Sequence, residues 1–138
     1  MPAKDIYHDP VKVALEKDGW IITDDPLVLQ WGGKDLFVDL GAEKIIADRK
    51  NGKKIAVEIK SFIGASQIND LEKAIGQYIL YRNIPEVTES KRELDLAVTK
   101  KAFEDIFIEP IGNLVLTKNK LFLLVFDIGK QEIIQWIS

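Results

Sequence analysis

Between Lys53 and Phe62 two kinds of side chain alternate, Ile55, Val57 and Ile59 in one set and Ala56, Glu58 and Lys60 in the other. Successive side chains on a strand point to opposite faces, so the pattern predicts a strand with one apolar face. The other face carries an acid and an ammonium two residues apart. Residues 44–50 read as its partner strand. The Asn51-Gly52 pair between them favours a type I′ turn, whose two central residues take φ > 0. Counting outward from that turn sets Lys50 against Lys53, Arg49 against Lys54, Ala47 against Ala56, Ile45 against Glu58 and Glu43 against Lys60. Asp39 has the parity of Glu43 but lies four residues farther out, so it reaches the same place only through a bend or bulge near Gly41.

A helical period follows. Ile68, Leu71, Ile75, Tyr78, Ile79 and Arg82 recur as one face of a helix over residues 66–83, with Ser66 as N-cap and Asp70 near the first turn. Gln77 and Tyr81 stand at i and i+4 on its flank, where both reach one ligand or each other. An earlier helix is expected within residues 5–18. Pro10 is tolerated only in a first turn, which moves the start to Asp9, and Gly19 provides the stop.

Residues 20–23 and 27–30 read as short strands around an Asp-Asp-Pro turn. Trp31-Gly-Gly33 breaks the chain before a strand at 35–39. Residues 94–99 predict a strand, 100–107 a short helix, and 111–117 fit either. The unbroken apolar run 121–126 predicts a buried central strand that turns at 127–130 into 132–137. The sum is an α/β fold in which helices flank a mixed central β-sheet, expected as a single domain over residues 1–138.

Composition narrows the class. The chain has 138 residues and no cysteine, which argues against a disulfide scaffold or a zinc–thiolate centre. It has no apolar run of membrane-spanning length and no signal peptide at Met-Pro-Ala-Lys-Asp, so a cytoplasmic protein away from the membrane is expected. His8 is the only histidine, which excludes a two-histidine mechanism. The net charge is −3, so a nucleic-acid partner must be met by local basic patches. Two present themselves: Arg49, Lys50, Lys53 and Lys54 at the expected hairpin tip, and Lys91, Arg92, Lys100 and Lys101 around the strand at 94–99.

Acids beside a lysine suit phosphodiester hydrolysis. A hard divalent cation held by one or two carboxylates neutralises a phosphate oxygen and activates water. A neighbouring lysine orients or deprotonates that water, or stabilises the charge that develops. The plain alternative is a solvated Glu–Lys pair worth about 0–1 kcal/mol. Against it stands the small Ala56, which leaves room on that face for a cation and a phosphate.

The segments Val38-Asp-Leu-Gly-Ala-Glu-Lys44, Ile55-Ala-Val-Glu-Ile-Lys-Ser-Phe62 and Ala74-Ile-Gly-Gln-Tyr-Ile-Leu-Tyr81, with Asp18-Gly-Trp20 and Gln135-Trp136, resemble the XisH family, the fdxN element excision controlling factors of cyanobacteria. That family is similar to the restriction-endonuclease-like, PD-(D/E)XK superfamily. The resemblance implies an α/β sandwich of that kind, a Mg²⁺ or Mn²⁺ cofactor and DNA as substrate. It also implies Asp39 or Glu43 as first acid, Glu58 as second and Lys60 as the lysine. The superfamily's Pro-Asp dipeptide is absent. Gln77-x-x-x-Tyr81 resembles a motif of RecB-type nucleases, which implies a place beside the site, and Glu16 matches a helical metal-holding acid of several such enzymes. Excision in programmed DNA rearrangement is the implied role, with an XisI-like partner and room for a homo-oligomer. Two alternatives stand beside it: a nuclease-fold regulator that cuts nothing and works through that partner, and an unrelated domain in which Glu58–Lys60 is a surface ion pair.

Overall fold

The computed structural model describes residues 5–47, 52–88 and 92–138. In chain order the elements are α1 (His8–Lys17), β1 (Ile21–Asp24), β2 (Leu27–Trp31), β3 (Lys34–Val38), β4 (Leu40–Lys44), β5 (Lys53–Ile59), α2 (Gln67–Val87), β6 (Glu93–Thr99), α3 (Lys100–Ala102), a π-helical turn (Phe103–Phe107), α4 (Pro110–Lys118), β7 (Leu123–Asp127) and β8 (Glu132–Ile137). Six strands form one sheet in the order β1-β4-β5-β6-β7-β8, and β2 and β3 form a separate two-stranded ribbon. The sheet is mixed: β5, β6 and β7 run parallel, and the pairs at either side are antiparallel. The fold is therefore α/β with a mixed central sheet, and helices cover it.

Strand parity divides the core into two layers. Ile55, Val57, Ile59, Ala97, Leu124 and Phe126 face α1 through Val11 and Leu15. Ala56, Leu94, Leu96, Val98, Leu123 and Val125 face α2 through Leu71, Ala74 and Tyr78. Burying each large aliphatic side chain contributes about 1.5–3 kcal/mol, so both faces hold the sheet. The parallel strands β5–β7 are apolar on both sides because helices cover both. Glu58 has the parity of Ala56 and so sits on the α2 side.

Helix α2 starts where its cap requires. Ser66 lies in extended backbone and its hydroxyl accepts the N–H of Asn69 at 3.2 Å. The helix runs beyond the expected end at residue 83, taking Pro85 into its last turn. Tyr78, fully buried, ties it to the sheet, donating its hydroxyl to Leu94 O at 2.8 Å and accepting from Phe122 N at 3.1 Å. The segment at 111–117 resolves as helix, its first turn opened by Pro110.

The β4–β5 register departs from the expected one. Strand β4 is Leu40–Lys44, not 44–50, and the pairs are Leu40–Val57, Gly41–Ala56, Ala42–Ile55, Glu43–Lys54 and Lys44–Lys53. Glu43 therefore faces Lys54 and not Lys60, and Ile45 lies beyond the strand and is exposed. The connection spans residues 45–52 in place of a two-residue turn. Arg49, Lys50 and Asn51, on which the turn was counted, lie outside the described residues, as does Lys91.

The tight primed turn occurs instead at Gly32-Gly33, with φ of 58° and 77° and with Trp31 paired to Lys34 across it. Glycine takes both values without strain. The strands at 20–23 and 27–30 exist but separate, β1 joining the main sheet and β2 the ribbon. The expected irregularity at Gly41 lies across from it, in β1, between Ile22 and Asp24.

Candidate active site

The new register promotes Asp39. It is the single residue between β3 and β4, the bend at which the chain leaves the ribbon for the main sheet. One step beyond the Leu40–Val57 pair, it stands across from Glu58. Its Oδ2 accepts the backbone N–H of Ile59 at 2.7 Å, which fixes the carboxylate against the end of β5. Lys60 follows immediately, its own N–H donated to Ala97 O of β6 at 3.1 Å. The acids and the lysine thus sit at the C-terminal end of a parallel strand, where open α/β sheets commonly place ligands.

A cavity of about 310 Å³ opens there, lined by Asp5, Asp35, Leu36, Phe37, Asp39, Glu58, Ile59, Lys60, Gln77 and Tyr81. Of the acids and amine expected to converge, Asp39, Glu58 and Lys60 meet in it, and Gln77 and Tyr81 close it from α2. Glu43 and Glu16 do not line it. Glu43 is placed at the other end of β5, across from Lys54. Glu16 is exposed on α1, the helix that packs on the opposite face of the sheet. Asp5 and Asp35 enter from segments whose pattern carried no signal of the site. Asp5 caps the approach to α1, its Oδ1 accepting Tyr7 N at 2.9 Å.

Burial dominates the electrostatics. Glu58 is only 5 % exposed, and its carboxyl is pushed up to about 10. Burial is the leading cause, followed by a hydrogen bond to Asp39 and by the charge of that neighbour; Lys60 and the Ile59 N–H oppose the rise. Glu58 therefore keeps its proton at neutral pH, as a buried carboxyl beside a like group does. Tyr81 is also raised, by burial and then by the charges of Glu58 and Asp39, so it remains a phenol able to donate. Gln77 Oε1 is buried with no hydrogen-bond partner among the described residues, although buried amide oxygens ordinarily have one.

These donors fit a hard divalent cation. The buried Glu58 carboxyl carries a proton that a cation would replace, and the Gln77 amide oxygen lacks a donor among the described residues. Among the described residues no group of three or more His, Asp or Glu is placed to hold a metal, so any such ion would rely on two acids and its own waters.

The basic patches divide by location. Lys53 and Lys54 begin β5, about 20 Å from Lys60 at the strand rise of roughly 3.3 Å per residue, and Lys53 pairs with Glu93 at 3.6 Å. Lys100 and Lys101 follow β6, which is parallel to β5, and so lie at the end of the sheet that holds the cavity. Lys101 is engaged with Asp105 at 2.8 Å. Arg92 is turned inward, donating to Ile55 O at 3.0 Å and pairing with Asp24 at 3.4 Å. No helix among the described residues is long and apolar enough to cross a membrane.

Comparison with known proteins agrees across the chain. The sequence profile of the family described as XisH protein matches residues 1–134. The crystal structure of an XisH family protein from Nostoc punctiforme PCC 73102 superposes with a TM-score of 0.88 at 38 % identity, over 97 % of this chain and 100 % of that one. That of a fdxN element excision controlling factor protein from Anabaena variabilis gives a TM-score of 0.87 at 40 % identity, over 98 % and 100 %. No curated protein matches. With the profile spanning nearly every residue and both crystal structures covered in full, the chain belongs to the XisH family.

Proposed function

We propose that the chain is an excision-controlling factor whose pocket is a Mg²⁺- or Mn²⁺-dependent phosphodiesterase site of the PD-(D/E)XK kind, acting on DNA. The observation that carries this reading is the meeting of Asp39 and Glu58, hydrogen-bonded to each other, beside Lys60 in one cavity. Asp39, held by the Ile59 N–H, and Glu58 would hold the cation. When bound, a divalent ion neutralises a phosphoryl oxygen and makes its water nucleophilic near neutral pH. The Lys60 ammonium orients the attacking water or stabilises negative charge on the phosphate. Gln77 Oε1 accepts a hydrogen bond from that water or from the substrate, and the Tyr81 hydroxyl donates to a phosphate oxygen. Exposed Lys100 meets the flanking backbone.

The assay is metal-dependent cleavage of plasmid and oligonucleotide DNA by wild type, Glu58→Ala and Lys60→Ala. Cleavage by wild type alone supports the reading. Equal cleavage by all three removes those residues from the chemistry.

A second reading is favoured by the absence, among the described residues, of a third acid placed to hold a metal with Asp39 and Glu58, and by the net charge of −3. In it the fold binds DNA and an XisI-like protein and regulates excision without cutting. DNA binding with no metal-dependent cleavage is its expected outcome.

A further inference from the structure

The β2–β3 ribbon presents one apolar face to α2, and the face outruns its cover. Leu27, Leu29 and Trp31 share a parity on β2, yet they are 8 %, 6 % and 57 % exposed. At the tip, Trp31 stands beside its cross-strand partner Lys34. A groove of about 520 Å³ separates them from Leu80, Ile84 and Val87 of α2. Its lining is almost wholly apolar, and Leu80 and Val87 are themselves exposed.

This groove adjoins the acidic cavity. Leu36 lines both, and both are walled by the same two elements, β3 and α2. Along β3 and the bend that ends it the order from groove to cavity is Lys34, Leu36, Asp39, at most about 16 Å at the strand rise of roughly 3.3 Å per residue. On α2 the cavity uses Gln77 and Tyr81 and the groove begins at Leu80. A ligand with a phosphate at Asp39 and Glu58 would therefore continue over Leu36 to Trp31, a distance of about five stacked nucleotides, or fewer if the strand is drawn out.

We infer that the Trp31–Lys34 end of this groove is a subsite for an unpaired nucleobase of the same DNA strand whose phosphate occupies the Asp39–Glu58–Lys60 cavity. The inference rests on the phosphodiester reading and adds the substrate class, single-stranded or locally opened DNA. Duplex bases are closed in their own stack and offer no face to an indole, whereas an unpaired base stacks on Trp31 and leaves its phosphate beside the Lys34 ammonium. An acidic chain gains little from long-range attraction to phosphates, so stacking has to supply affinity that charge does not. The other two tryptophans, Trp20 and Trp136, pack against each other with ring centroids 5.7 Å apart, whereas Trp31 leaves 57 % of its surface exposed at the ribbon tip.

The test is fluorescence anisotropy with a labelled oligothymidylate 12-mer in EDTA, so that binding is read without cleavage. Trp31→Ala is expected to weaken binding roughly 5- to 150-fold, the range of one stacked base. Trp31→Phe, which keeps a ring, should stay within a few-fold of wild type. A 12-mer of abasic residues should bind wild type as weakly as the thymidylate binds Trp31→Ala. Equal affinity of Trp31→Ala and wild type overturns the subsite, including the case in which Trp31→Ala only breaks a contact with a protein partner or a second copy. Tighter binding of a duplex of the same length also overturns it. Cleavage by wild type together with a silent Trp31→Ala would leave the phosphodiester reading standing and remove this one. Trp31-dependent binding without cleavage would do the reverse.

Discussion

Asp39 accepts the backbone N–H of Ile59 at 2.7 Å, and this bond selects the acid that meets Glu58. Glu43, four residues along β4, pairs with Lys54 at the far end of the strand. Glu43→Gln should accordingly leave metal-dependent cleavage within a few-fold of wild type, while Asp39→Asn should abolish it. Initial rates at saturating Mg²⁺ check the pair, and loss of activity in Glu43→Gln would restore the other register.

Lys60 acts on water or phosphate in this account and holds no cation. Lys60→Ala should lower the cleavage rate by about 10²- to 10⁴-fold, the usual contribution of a positioned proton-transfer group. Its divalent-ion affinity should remain close to that of wild type. Single-turnover rates and an ion titration on the same protein separate the two effects; a parallel loss of ion binding would move Lys60 into the positioning of the acids.

How much of this was written in the sequence depends on the range of the interactions. Residues 53–60 announce their strand by alternation, and Ser66 announces the start of α2 by its hydroxyl, because both signals are local. One strand put Glu58 and Lys60 on a common face and one helix put Gln77 and Tyr81 on a common flank; that the two sets meet was implied only by the family resemblance. The register did not, because it rested on a single dipeptide. Asn51-Gly52 has the chemistry of a two-residue turn, yet Gly32-Gly33 has it too and there makes the hairpin. Leu40 and Ala42, both fully buried beside Val57 and Ile55, decided the pairing through the core, where a wrong register would bring a charged residue inside. Asp5 and Asp35 reach the cavity by tertiary packing alone, and no spacing encodes that. Glu16 carried the right residue type on a helix that covers the other face.

Asp95 provides a test of pH dependence away from the cavity. On β6 it is 1 % exposed, and its carboxyl is pushed up to about 8 by burial, then by hydrogen bonding to Glu93 and by the charge of that neighbour. The unfolded chain releases this proton near 3.8 and the folded chain near 8, so between those values the unfolded state binds fewer protons. Stability therefore falls as pH rises through that window, by at most about 1.4 kcal/mol per pH unit for one proton. Glu58 adds to the fall in the absence of metal, its window reaching about 10. Thermal melts in EDTA should show a declining Tm for wild type and a flatter profile for Asp95→Asn; identical slopes would contradict the raised Asp95 carboxyl.

Tyr78 joins α2 to the sheet through two hydrogen bonds made by one buried hydroxyl. Tyr78→Phe leaves Phe122 N and Leu94 O without that partner, so a loss of about 1–3 kcal/mol in urea denaturation is expected. A change below about 0.5 kcal/mol would mean that neighbouring groups take over the bonds.

Gly112 in α4 lies against the backbone of Ile106 and Phe107, where a Cβ would overlap the Ile106 carbonyl. Gly112→Ala should cost about 1–3 kcal/mol despite the better helix propensity of alanine, as overpacking does. Chemical denaturation reads it, and a stabilised variant would show that α4 can move away from that turn.

The central claim is that Asp39 and Glu58 together hold one divalent cation. Binding of Mn²⁺, followed by the loss of the free-ion resonance in electron paramagnetic resonance, tests it without reference to any substrate. One site is predicted in wild type and in Glu43→Gln, with binding weakened at least tenfold in Asp39→Asn and Glu58→Gln, both of which should melt cooperatively. Mn²⁺ binding that is absent from wild type, or indifferent to Glu58→Gln, would contradict the account.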